Sequence, residues 1–182
     1  MQSNDKFTKA ISGHLTEDIP IILSAAILMA ALSQVTVPLL PVPVTGQTLG
    51  VLLIGIMLGR RRAVAAMLTY LGMGMIGLPV FAGATTGLAV FVGPTGGYLL
   101  GFVPAVWVMG FLGEKGCYRK MYTALAALIT GHAVIFALGL LWLVHFTGWS
   151  HVFAAGLIPF LPGAAVKTLI TLTLLPLIRT QG

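Results

Sequence analysis

Six apolar runs of near membrane-spanning length, with charge at every second connection between them, constrain this chain more than any other feature. A helix that crosses a bilayer needs roughly 20 mostly apolar residues. Hydropathy marks spans at 19–37, 45–59, 63–78, 98–113, 122–146 and 162–178. Several are short, so tilt, kinks or part-depth loops are expected. Only 8% of the residues are charged, against about 25% in a soluble domain, and the mean hydropathy is +1.02. The expected fold class is therefore an all-α integral membrane protein with six transmembrane helices. Residues 1–182 form one membrane domain: 1–18 is a cytoplasmic N-terminal segment and 19–178 the bundle. The first twenty residues are polar and lack the apolar core and cleavage site of a signal peptide. The first helix reads as a retained anchor.

Six spans leave both termini on one side. Lys6, Lys9, Arg60, Arg61, Arg62, Lys115, Arg119, Lys120 and Arg179 all fall on that side, as do Asp5, Glu17, Asp18 and Glu114. The positive-inside rule makes it the cytoplasm. A net charge of +6 does not point to nucleic acid, because the basic residues are few and are not interleaved with aromatics. The single Cys117 excludes an internal disulfide framework and a cysteine metal cluster.

The opposite side carries one charge, Lys167, about one and a half turns into the last span. At that depth an ammonium costs a few kcal/mol on insertion scales. No carboxylate lies on its side to pair with it. Either the side chain snorkels to the interface, or it waits for the carboxylate or phosphate of a ligand.

Two segments on the same side are unusual. PLLPVPVTGQTLG (38–50) is too rich in proline to be helical throughout, and its polar residues are Thr45, Gln47 and Thr48. Residues 77–102 are rich in glycine yet apolar, so they fold inward, where irregular backbone lines a cavity. Their centre is GPTGGY (93–98), with Thr95 and Tyr98 supplying hydroxyls and Gly93 an approachable backbone. It is not a phosphate-binding loop. Phe81, Phe91, Tyr98, Trp142, Phe146, Trp149, Phe153 and Phe160 also map to this side. They form an interfacial belt, or with Lys167 they wall an apolar pocket with one cationic end. A small ligand with an apolar body and a carboxylate fits such a pocket. His145 and His151 lack an acid for a metal site, and no cofactor is expected. His14 and His132 are isolated, with no special role expected. A face without carboxylates argues against hydrolytic chemistry and against an enzyme. On the first span Ala26 and Ala30 stack on one face with Ser33 beyond them. This small-residue stripe serves internal packing or contact with another membrane subunit.

VPLLPVPVTGQTLGVLL, GLPVF, GPTGGYLLGF and PFLPGAAVK, in this order and spacing, resemble the BioY family. These are the biotin-specific substrate-capture (S) components of energy-coupling-factor transporters. The resemblance covers about 19–178. It implies the six-helix S-component fold in a bacterial inner membrane, with biotin bound near the outer face under a lid formed by the loop after span one. It implies that Lys167 lies near the biotin carboxylate. Gln47, Thr45, Thr95, Tyr98, Phe91 and the Gly93 backbone are then candidates for the rest of the ligand. Ala26 and Ala30 would contact a transmembrane coupling subunit, with ATPase subunits beyond it. Solitary operation as a homo-oligomer is the other family possibility. One departure stands out: Ala164 occupies a position where the family often has aspartate. The alternatives are an S component for another carboxylated vitamin and a ligand-free structural subunit.

Overall fold

The computed structural model describes the backbone of residues 2–179 and the side chains of residues 18–178. The chain runs α1 (Gln2–Gln34), β1 (Thr36–Val37), β2 (Val44–Thr45), α2 (Gln47–Met57), α3 (Gly59–Met75), α4 (Ala89–Val92), α5 (Gly96–Glu114), α6 (Met121–Thr147), α7 (Val152–Gly156) and α8 (Leu161–Arg179). Six principal helices, α1, α2, α3, α5, α6 and α8, make the bundle, and the single-turn α4 and α7 sit in the connections. Gly96–Glu114, Met121–Thr147 and the stretch Val152–Ile178 are long and apolar enough to cross a membrane, while Asp18–Gln34 and Gln47–Met57 are shorter apolar helices.

The prolines decide how α1 gives way to α2. Pro38, Pro41 and Pro43 cannot continue a helix. The chain instead doubles back, with β1 and β2 pairing antiparallel in the register Thr36↔Thr45 and Val37↔Val44. The Gly46 N–H closes the base of this hairpin on the Val35 carbonyl at 2.8 Å. Beyond the hairpin, α2 has 11 residues and is about 16 Å long, which is too short to span a hydrocarbon core of about 30 Å alone. The hairpin therefore shares this leg of the bundle. The turn into α3 is made at Gly59, whose φ of +69° suits glycine.

Charge marks one end of the bundle. Arg62 meets Asp18 at 2.6 Å and Arg60 meets Glu114 at 3.1 Å. These pairs are substantially exposed, so each contributes roughly 0–1 kcal/mol. They place residue 18 of α1, the start of α3 and the end of α5 together. Leu175, near the end of α8, packs with Tyr118, Ala124 and Ala127 at this same end. The side chains of Asp5, Lys6, Lys9, Glu17 and Arg179 lie outside the described residues.

Glycine and aromatic residues interlock where α5 and α6 meet. A Cβ on Gly97 would lie 2.2 Å from that of Trp142, and a Cβ on Gly139 would lie 2.3 Å from the Tyr98 ring. Each helix thus lends a gap to the other's ring, which allows the close approach that apolar helices need in lipid.

The small-residue stripe of α1 faces inward. Ala26 and Ser33 are fully buried, and Ala30 is half-buried against the core. The Ser33 hydroxyl donates to the Val80 carbonyl at 2.7 Å. Ala26 therefore offers no surface to a partner: its face is consumed by packing within the chain. The exposed side of α1 carries Leu23, Ile27 and Leu28 instead.

Candidate functional site

At the end opposite the ion pairs lies a cavity of about 490 Å³, within the range of small-molecule sites. Its polar wall begins in the hairpin. The Thr45 hydroxyl donates to Gln47 Oε1 at 2.8 Å, and Gln47 Nε2 donates to the Tyr70 hydroxyl at 2.6 Å. Tyr70 passes the chain on to the Val80 carbonyl at 3.1 Å. This relay ties α2 to α3 and to the segment after it, and it holds Gln47 in one orientation at the helix start.

Lys167 enters from α8. Its Nζ donates to the Thr45 carbonyl at 2.5 Å and to Thr48 Oγ1 at 2.6 Å. The side chain is half-buried and lines the cavity, so it turns inward. An ammonium has three N–H donors. Two are used by the protein, and the third has no hydrogen-bond partner among the described residues. No carboxylate pairs with Lys167 among the described residues; the salt bridges formed there are at the other end.

GPTGGY forms the opposite rim. The carbonyl of Gly93 accepts the Trp142 indole N–H at 2.9 Å, and Thr95 Oγ1 donates to the Val90 carbonyl at 3.3 Å. The Tyr98 hydroxyl donates to the Gly156 carbonyl at 2.7 Å. These groups brace the rim as well as facing the cavity. The Tyr98 ring stacks on Phe160 at 5.9 Å, with 17° between planes.

Of the residues singled out from sequence, Thr45, Gln47, Gly93, Thr95, Tyr98 and Lys167 come together around this cavity. Phe91 does not join them. It packs edge-to-face against Phe81 at 5.5 Å, and Phe81 supplies the wall. The single turn of α4 points Ala89 and Val90 inward and leaves Phe91 behind. Phe146, Trp149 and Phe153 are largely exposed rather than lining. Sequence reading missed Phe102 and Phe136, which complete the apolar wall, and His132, which lines it too. The only signal was helix phase: His132 and Phe136 are four apart, as are Tyr98 and Phe102, so each pair shares a face.

The fold is that of an S component. The structure matches, with a TM-score of 0.81, the crystal structure of the S component for biotin from an ECF-type ABC transporter, covering 93% of this chain and 94% of that one at 23% identity. The chain belongs to the BioY family, whose model matches residues 2–181. It is 43% identical over 165 residues to the biotin transporter BioY2 of Lactococcus lactis subsp. cremoris, covering 87% of this chain and 88% of that protein. It is 37% identical to the biotin transporter BioY of Rhizobium etli, covering 81% and 84%. It is a membrane protein of a transporter family.

Proposed function

We propose that this chain captures biotin with high affinity and delivers it across the membrane as the substrate-specific subunit of an energy-coupling-factor transporter. The observation that carries this reading is Lys167: one ammonium in a largely apolar cavity, with a spare N–H and no carboxylate among the described residues to neutralise it. Biotin supplies the missing anion on its valerate arm, and its fused rings suit the walls of Phe81, Phe102, Phe136 and Phe160. Thr45, Gln47, Thr95, Tyr98 and the Gly93 backbone shape the polar positions around it. The hairpin before α2 acts as a lid. The chain works as one multi-pass membrane domain in a bacterial inner membrane, with its charged end toward the cytoplasm. Energy comes from separate ATPase subunits through a transmembrane coupling subunit, since the chain has no phosphate-binding loop. Contact with that subunit falls to the exposed face of α1, because Ala26 is buried.

The test is equilibrium binding of radiolabelled biotin to the purified protein in detergent, with biotin methyl ester as competitor. Saturable binding that the ester displaces weakly supports capture through a cationic contact. Folded protein that binds no biotin refutes the reading and leaves another carboxylated vitamin or a structural role.

A further inference from the structure

His132 projects from the middle of α6 into the same cavity and is only 7% exposed. Its ring lies nearly parallel to that of Phe136, at 6.0 Å with 16° between planes. Neither nitrogen has a hydrogen-bond partner among the described residues. The ring lines the cavity together with Ala164 and Lys167 of α8, and it forms no hydrogen bond to the Ala164 backbone. A neutral imidazole carries one donor and one acceptor, and buried groups of this kind are normally paired. Other buried polar side chains in and behind the cavity wall follow that rule: Ser33, Gln47, Tyr70 and Tyr98 all have partners.

Two donors therefore stand together on the α6–α8 side of the cavity. One is the Lys167 N–H left after Thr45 and Thr48, and the other is a ring N–H of His132. A carboxylate offers two oxygens and accepts from two such donors at once. We propose that His132 is a second ligand-binding residue, and that with Lys167 it grips the two oxygens of the ligand carboxylate from two different helices. Ala164 leaves the ring room to do so, since its methyl is the only side chain of α8 between Phe160 and Lys167 that lines the cavity. The inference rests on the biotin-capture reading, but it can fail while that reading stands.

The test compares the full-length wild type with His132→Leu, His132→Met and His132→Gln. Affinity is measured for biotin and for biotinol, whose CH2OH end lacks the charge and the paired oxygens. The wild type binds biotin. His132→Leu and His132→Met weaken biotin about 10- to 100-fold, the range for a hydrogen bond to a charged group, and leave biotinol almost unchanged. His132→Gln keeps an N–H and recovers part of the loss. The melting temperature of ligand-free His132→Leu is equal to or above that of wild type, because the change removes unpaired buried polar atoms. If His132→Leu does not fold, His132→Met carries the comparison. Biotin affinity within about twofold of wild type, an equal loss for biotin and biotinol, or a steep fall in melting temperature each overturns the proposal. A wild type that binds no biotin removes the capture reading itself.

Discussion

Replacing Lys167 by methionine removes the charge while keeping most of the side-chain volume. Two opposed effects act on the ligand-free protein. The variant loses bonds to the Thr45 carbonyl and Thr48 Oγ1, at 2.5 and 2.6 Å, each worth about 1.5–3 kcal/mol when the donor is charged. It also escapes the desolvation of a half-buried ammonium, which amounts to several kcal/mol for a buried ion. The two largely cancel, so the melting temperature should move little. Binding has no such compensation. A desolvated pair between ammonium and carboxylate is worth about 2–5 kcal/mol on truncation of one partner, which is roughly a 30- to 5,000-fold rise in Kd. Titration of biotin against wild type and Lys167→Met in the same detergent, with thermal unfolding in parallel, reads both quantities. Lys167→Arg should also bind poorly, because a planar fork cannot reproduce a compact donor between Thr45 and Thr48. A Lys167→Met protein that binds biotin within about threefold of wild type sinks the anion-receptor argument.

Three further outcomes rest on the packing. Gly97→Ala puts a methyl 2.2 Å from the Trp142 Cβ and 2.6 Å from the Leu138 carbonyl; it should cost about 1–3 kcal/mol or more by prising α5 from α6, seen as a lower melting temperature and altered tryptophan fluorescence. Tyr98→Phe strips the Gly156 carbonyl of its 2.7 Å donor and should cost about 1–3 kcal/mol in unfolding, with a smaller effect on biotin titrations than Lys167→Met. Ser33→Ala removes one of two hydroxyls that donate to the Val80 carbonyl, the other being Tyr70; about 0.5–1.5 kcal/mol in unfolding is expected, with biotin affinity nearly unchanged.

Scarcity made part of this legible in advance. In a chain with so few charges each one carries positional information, so the bundle could be outlined from the apolar runs and the basic connections. Proline chemistry exposed the break before α2 for the same reason: few local conformations accept Pro38, Pro41 and Pro43. Phase was harder. A soluble helix advertises its buried face by contrast with its polar one, whereas a helix in lipid is apolar all round. Nothing in the sequence distinguished the inward side of α1, so Ala26 could be read as a partner contact. The same blindness hid His132, whose meaning depends on which face of α6 turns to α8. Phe91 failed for another reason. It stands on a single helical turn in a glycine-rich segment, where rotation is set by tertiary contacts and not by any local period.

The bonds from Lys167 to Thr45 and Thr48 join groups 122 and 119 positions apart in the chain. This has a consequence for biogenesis. Chains are made and inserted from the N-terminus at about 5–20 residues per second, so the hairpin and α2 exist for several seconds before α8 leaves the ribosome. Throughout that interval the polar wall lacks its ammonium. The candidate site is thus among the last things the nascent protein completes, and a chain arrested before residue 161 holds most of the cavity's walls without its charge.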